Sequence, residues 1–183
     1  MTRLLGRPPV GAFDVCVRRA HGEPVVIVNA PLLDDGTPMP TRFWLVDAEL
    51  RTAVSRVEAS GGVRRAARAV EAAALDAAHA RYAAERDAAI APDHRGPRPT
   101  GGVGGTRQGV KCLHAHLAWY LAGGDDPVGA WTAAQLALDP SGFVVTLPPS
   151  AGARGDIHGD TDGDIHGDTD GDTDGDTRGD ARG

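Results

Sequence analysis

The chain has 183 residues, which suits a single domain, and a formal net charge of −6. Residues 155–183 carry ten Asp against Arg178 and Arg182, a net of −8, so residues 1–154 carry +2. This near-neutral part argues against a basic nucleic-acid-binding face, and no run approaches the roughly 20 apolar residues of a membrane helix. Two cysteines cannot form a disulfide framework, and residues 1–13 lack a signal-peptide core. We therefore expect a cytoplasmic protein with no nucleic-acid or membrane partner.

The N-terminal third predicts a β-hairpin followed by a loop. Residues 13–19 (FDVCVRR) and 24–30 (PVVIVNA) are rich in β-forming side chains, and Gly22 between them can adopt a positive φ. Residues 31–41 contain an Asp-Gly turn signal and two further prolines that hold the chain extended. We expect two antiparallel strands and then an irregular connection.

Two helices are predicted in the next segment. Asp47 occupies an N-cap position before apolar residues at helical spacing, and Gly61-Gly62 ends that helix. Residues 63–90 are dense in Ala, the residue with the highest helix propensity, and predict one long helix. Residues 92–106 then form a Gly/Pro-rich connection.

Two shorter helices and one extended segment complete the predicted domain. Residues 110–122 form an amphipathic helix, and a fourth helix starts at Pro127, with Asp126 as a candidate cap. Residues 143–147 are either an edge strand or an extended strap. The prediction is a helix-dominated α+β domain over residues 1–150, with about four helices and an N-terminal β-hairpin.

The remaining residues, 151–183, differ from the rest of the chain in composition and include a low-complexity repeat. From Gly155 onward, Gly-Asp recurs every four residues with almost no apolar side chains. Such a segment cannot bury enough apolar surface to offset the conformational entropy lost on folding. The sequence therefore predicts a disordered Gly-Asp repeat tail.

The glycine-rich segment before the third helix predicts an anion site. Its glycines let backbone N–H groups approach a ligand, a helix N-terminus favours negative charge, and Arg107 and Lys111 add positive charge. The spacing of Gly104, Gly109 and Lys111 is not that of a P-loop, because Lys does not directly follow Gly and no Ser or Thr follows Lys. A looser phosphate or carboxylate site is one interpretation, and a flexible connector is the other.

Metal binding is a second candidate chemistry for the same segment. On a continuous helix, Cys112 and His116 share one face, whereas His114 lies about 200° from Cys112. A zinc site would therefore use Cys112 and His116 with partners from elsewhere, such as His79 or His21. The alternative is that Cys112 is a small buried residue.

The Ala-rich helix carries a polar stripe of His79, Tyr82 and Arg86 at helical spacing. Such a stripe can line a pocket, with His79 as an acid/base candidate, or it can be the solvated side of an amphipathic helix. Glu58 could orient a cation in that pocket or pair with Arg65.

Several segments of the chain form a recognisable set of motifs: Arg18…Gly22-x-Pro24, GTPMPTRFWL at 36–45, Glu58-x-x-Gly61, His79-x-x-Tyr82-x-x-x-Arg86, VKCLHAH at 110–116 and Asp126-Pro127-Val128-Gly129. Together they resemble the bacterial domain-of-unknown-function family 501 (DUF501), over roughly residues 4–133. That family has no established activity, so the resemblance implies a fold group and no reaction.

The working hypothesis is one polar pocket that binds a small anionic ligand, bearing phosphate or carboxylate. The proposed acid/base residues are His114 and His79, the proposed ligand-binding residues are Arg107, Lys111, Arg86, Tyr82 and Arg18, and the metal candidates are Cys112 and His116. The alternative is a non-catalytic protein-interaction module in which these residues form a hydrogen-bonded core. The sequence indicates no particular cofactor, and it leaves enzymatic activity and any protein partner open.

Overall fold

The computed structural model describes residues 11–146 and confirms the predicted α+β class. Within this range, a four-stranded antiparallel sheet packs with five α-helices. The predicted tail, residues 151–183, lies outside the described residues. The strands are β1 (Phe13–Arg19), β2 (Pro24–Asn29), β3 (Phe43–Leu45) and β4 (Phe143–Val145), and the helices are α1 (Ala48–Ala59), α2 (Gly62–Ala69), α3 (Ala72–Ala88), α4 (Leu113–Leu121) and α5 (Pro127–Gln135).

The sheet is built around the predicted hairpin, in the order β3-β2-β1-β4. Gly22 adopts φ +98° in the turn between β1 and β2, which confirms the role expected of it. The final extended segment is an edge strand, since β4 pairs with β1 through Val17 and Val145. Strand β3 lies just after the region that the sequence predicted as a loop. Its Trp44 pairs with Ile27 of β2.

Two aspartates begin helices, as their positions predicted. The carboxylate of Asp47 accepts the Leu50 N–H at 2.8 Å at the start of α1, and it also pairs with Arg19 at 2.7 Å. Burial opposes ionisation of Asp47, but the hydrogen bonds from Arg19 and Leu50 outweigh it and hold its pKa below the usual value. Asp126 caps α5 through the backbone N–H groups of Val128 and Gly129.

The prediction of one helix over residues 63–90 is wrong. Val70 is extended, with φ −107° and ψ 134°, and this residue separates α2 from α3. Alanine supports the helical state on both sides, but propensity carries no information about where tertiary packing requires the chain to turn. Val70 is half-buried and packs against the core, as a β-branched residue in extended conformation can do.

Helix α4 lies at the centre of the domain. Seven of its nine residues are buried, and it packs on both β3 and α5. A side chain at Gly129 of α5 would bring its Cβ within 2.4 Å of the Tyr120 Cβ, so glycine there permits the close approach of the two helices. None of the helices between residues 11 and 146 combines the length and the apolar composition of a membrane-spanning segment.

Candidate functional site

The glycine-rich loop is fixed to the fold by two buried side chains of α3. His79 Nδ1 accepts the Val103 N–H at 3.1 Å, and its Nε2 lies 3.1 Å from the Gly109 carbonyl, which identifies the Nε2–H tautomer. Arg86 donates from Nη1 to the Gly101 carbonyl at 2.6 Å. A Cβ at Gly102 would lie 2.5 Å from His79, so only glycine allows this approach. The loop is thus held in one conformation by bonds to its backbone.

Tyr82 completes this buried row on α3. Its hydroxyl accepts the Arg42 N–H at 2.7 Å and donates to the Pro40 carbonyl at 3.3 Å. Burial raises the pKa of Tyr82 to about 12 and lowers the pKa of His79. The interpretation of this stripe as a solvated helix face is wrong, because His79, Tyr82 and Arg86 are at most 7% exposed.

A cavity of about 850 Å³ lies in front of the loop. It is bounded by β2, β3, α1 and the start of α4. Its walls combine apolar and polar side chains: Ile27, Asn29, Met39, Thr41, Phe43, Trp44, Leu45, Ala48, Arg51, Thr52, Ser55, Gly104, Lys111, Cys112, His114 and Ala115.

The charged residues that line this cavity are all basic. Arg51 and Lys111 are among them, and within residues 11–146 no Asp or Glu is. A second cavity, of about 500 Å³, is lined mainly by apolar residues of α4, α5 and β4, with no ionisable group except the phenol of Tyr120. The larger cavity is therefore the one with chemistry-bearing residues.

Cys112, His114 and Glu58 form a cluster at the edge of the larger cavity. Cys112 is the N-cap of α4, and its Sγ accepts the Ala115 N–H at 3.4 Å. Glu58 Oε1 lies 2.6 Å from the Leu113 nitrogen, whose N–H it accepts, and 3.2 Å from Nδ1 of His114. One donor atom from each of Cys112, His114 and Glu58 lies within 4.8 Å of the other two.

His114 is held at both ring nitrogens. Its Nε2 lies 3.2 Å from the Arg51 carbonyl and 3.4 Å from the Ser55 hydroxyl, opposite the Nδ1 contact with Glu58. The hydrogen bond with Cys112 raises the pKa of His114, and the Glu58 charge and the Arg51 carbonyl add to it against the opposing effect of burial. The ring is therefore oriented by α1 although it belongs to α4.

The predicted metal pair of Cys112 and His116 is not brought together. The helical-wheel argument placed Cys112 on the helix, but its φ of −153° and ψ of 141° are extended, so the 100° rotation per residue does not apply. His116 instead lies against the core, with Nδ1 2.7 Å from Asp126, while its Nε2 has no hydrogen-bond partner among the described residues. The side chain of Cys112 lies close to that of His114 instead.

The prediction that all the candidate residues line one shared pocket is also wrong. Lys111, Cys112 and His114 line the larger cavity, whereas the buried residues His79, Tyr82 and Arg86 do not. Two further predicted ligand residues are outside the lining: Arg107 is exposed on the loop, and Arg18 is exposed on β1, where it donates to the Gly22 carbonyl.

Sequence reasoning gave Glu58 two alternatives, a cation-orienting role or a pair with Arg65. The structure pairs Glu58 with His114 and leaves Arg65 bonded to the Ser60 carbonyl. Arg51 and Ser55 were not considered, although their spacing with Glu58 places the three on adjacent turns of one predicted helix.

Comparison with protein families gives one match. The model of the family described as "Protein of unknown function (DUF501)" matches residues 15–134, and the chain belongs to that family. The matched range includes every residue that lines the larger cavity. No curated protein and no solved structure matches the chain significantly.

Proposed function

We propose that this protein binds a small anionic molecule in the larger cavity. The observation that carries the proposal is the sign of the lining charges: Arg51 and Lys111 face a cavity to which no acidic side chain of the described residues contributes. Both side chains are exposed at the cavity, and charges of one sign along a concave surface raise the local positive potential, which attracts an anion.

Lys111 is the main anion contact in this proposal. The structure gives it no ion-pair partner among residues 11–146, so binding does not have to break an existing bond. It immediately precedes Cys112, the N-cap of α4, where Glu58 and Cys112 already accept the Leu113 and Ala115 N–H groups, so the ammonium group is the positive charge that this end of the helix offers. The ammonium group acts as a point charge and suits phosphate or carboxylate.

The apolar residues of the lining predict that the ligand also has an apolar part. Phe43, Trp44 and Leu45 of β3 line the cavity together with Ile27 and Met39. A volume of about 850 Å³ falls within the range of small-molecule sites, which is roughly 300–1,000 Å³. An organic phosphate or carboxylate with a ring or short aliphatic body fits both walls.

The experiment is a thermal-shift and calorimetric comparison of three proteins. The wild type, Lys111→Ala and Arg107→Ala are each tested with pyrophosphate, inorganic phosphate and citrate, against sodium chloride at equal ionic strength. A ligand that binds only the folded state raises the melting temperature. Arg107 is the matched control, because it carries a positive charge on the same loop but does not line the cavity.

We expect Lys111→Ala to weaken anion binding about tenfold, which corresponds to roughly 1.4 kcal/mol. Arg107→Ala should leave the affinity within about twofold of the wild type, since Arg107 does not line the cavity and its exposed charge is screened by salt. Equal losses in the two variants would mean that the anion binds the loop surface. No stabilisation by any of the anions would favour the protein-interaction module.

A further inference from the structure

We propose that Glu58, Cys112 and His114 bind a divalent zinc-type ion at the edge of the cavity. The three side chains supply a carboxylate oxygen, a sulfur and an imidazole nitrogen, all within 4.8 Å of one another. This combination of donors is one that zinc accepts in proteins. The inference goes beyond anion binding and does not depend on it, because it rests on this cluster alone.

The hydrogen bonds of His114 leave its Nδ1 atom suited to a metal. The Arg51 carbonyl can only accept, so Nε2, at 3.2 Å, must carry a proton. Nδ1 lies 3.2 Å from Glu58 Oε1, to which it donates an N–H when the ring is protonated. A metal ion that binds the neutral ring takes the place of this proton between Nδ1 and Oε1, and Sγ of Cys112 is a third donor within reach.

Each of the three donors is also oriented by a neighbour. Histidine ligands usually donate their other N–H to a backbone carbonyl or carboxylate, which is the contact that His114 makes with Arg51. Cys112 Sγ accepts the Ala115 N–H, and Glu58 Oε1 accepts the Leu113 N–H. These bonds limit the freedom of the side chains before an ion arrives, which lowers the entropic cost of forming the site.

Three protein ligands leave a fourth position for water or an exogenous ligand, as in catalytic zinc sites. Cys112 and His114 both line the larger cavity, so that position is accessible from it. Zinc bonds of about 2.0–2.3 Å require donors closer together than 4.8 Å, so small side-chain rotations must close the cluster around the ion.

The test replaces zinc with cobalt in the full chain. Co²⁺ bound to a thiolate gives a sulfur-to-metal charge-transfer absorption in the near ultraviolet. This readout excludes the Asp-rich segment, because residues 147–183 contain His158 and His166 but no cysteine. Elemental analysis after zinc loading, together with competition against a chromophoric chelator, gives stoichiometry and affinity.

We expect one ion per chain with the charge-transfer band in the wild type. Cys112→Ser should abolish the band, Cys16→Ala should retain it, and Glu58→Gln and His114→Gln should each weaken the affinity at least tenfold. Cys16 is the matched control because it is buried in the core and outside the cluster. A melting curve for each variant confirms that it is folded.

A wild-type protein that binds cobalt without the band, or not at all, would overturn the proposal. A band that persists in Cys112→Ser would overturn it as well. Anion binding is tested separately, on metal-free protein and through Lys111. A failure of the metal proposal therefore does not contradict the anion proposal, and the reverse also holds.

Discussion

A buried polar side chain that is hydrogen-bonded to the backbone of a loop fixes the conformation of that loop. His79 and Arg86 have this role, because their ring and guanidinium atoms hold the carbonyl and N–H groups of residues 101–109. Lys111 and His114, in contrast, line the cavity. The buried polar residues of α3 therefore support the fold, whereas the polar residues near the start of α4 are available to a ligand.

His79 should make the stability of the fold depend on pH. Burial lowers its pKa in the folded state, so the folded protein binds fewer protons than the unfolded chain just below the usual value of about 6.5. Its contribution is fully present above that value and is lost as the pH falls toward the folded-state pKa. Protonation would also set an N–H against the Val103 N–H. Urea unfolding between pH 7.5 and 5 measures the effect.

The control is His79→Gln, whose amide can still accept from Val103 and donate to Gly109 but does not titrate. We expect a smaller slope of unfolding free energy against pH in the variant, by up to about 1.4 kcal/mol per pH unit. The neighbouring titratable groups Asp76, His116 and Asp126 are present in both proteins. If the unfolding free energies of the two proteins change with pH in the same way, the assignment of His79 as a buried neutral histidine is contradicted.

Glu58 should contribute to stability as well as to the site. Glu58→Ala removes the acceptor of the Leu113 N–H and the partner of His114, which should cost about 1–3 kcal/mol of unfolding free energy. Glu58→Gln keeps an acceptor for the N–H and should lose less. Urea denaturation at pH 7 measures both variants.

Glu71→Ala is the reference substitution, because Glu71 is exposed and its side chain makes no cap hydrogen bond to α3. It should stay within about 0.5 kcal/mol of the wild type. A Glu58→Ala protein as stable as Glu71→Ala would show that the contact of α1 with the start of α4 is not needed.

At the scale of elements, Asp126 links the cap of α5 to the buried face of α4. It accepts two N–H groups of α5, and its other oxygen lies 2.7 Å from Nδ1 of His116. Asp126→Ala removes the cap and leaves the buried imidazole without this partner, which should cost about 2–4 kcal/mol. Equilibrium unfolding by circular dichroism measures the loss.

Asp125→Ala is the neighbouring control. Asp125 is exposed, and its surface pair with Arg81 should contribute at most about 1 kcal/mol. Similar losses in the two variants would contradict the structural role assigned to Asp126.

The elements that the sequence predicted correctly have local causes. The hairpin depends on Gly22, and the starts of α1 and α5 depend on the side chains of Asp47 and Asp126, all within a few residues of the structure they determine. The break at Val70 and the extended conformation of Cys112 depend on packing between distant segments. Neither has a signal in the adjacent sequence.

The whole molecule brings the candidate site together from segments far apart in the chain. Lys111 and the glycines were enough to suggest an anionic ligand, but the cavity could not be predicted, because β3 and α1, which lie far from this segment in the chain, supply seven of its sixteen lining residues. The helical wheel assigned His114 and Cys112 to opposite sides, and only the backbone of the N-cap places them together.

The Gly-Asp repeat should make little contribution to the stability of the domain. The family match ends at residue 134, and the repeat from Gly155 has almost no apolar side chains to bury. Deleting residues 155–183 should therefore leave the melting temperature within about 2 °C of that of the full chain, as differential scanning calorimetry can measure. A large fall would contradict the sequence-based expectation.

Protection of Cys112 from alkylation tests the proposed anion site most directly. Iodoacetamide labelling of metal-free protein is followed by mass spectrometry. Cys16 should stay unlabelled while the protein is folded, since burial raises its pKa to about 12 and leaves it 1% exposed. We predict that saturating pyrophosphate slows labelling of Cys112 at least fivefold in the wild type, and much less in Lys111→Ala at the same concentration and ionic strength. An unchanged Cys112 rate in wild-type protein that pyrophosphate demonstrably stabilises would place the anion outside the cavity and contradict the proposed site.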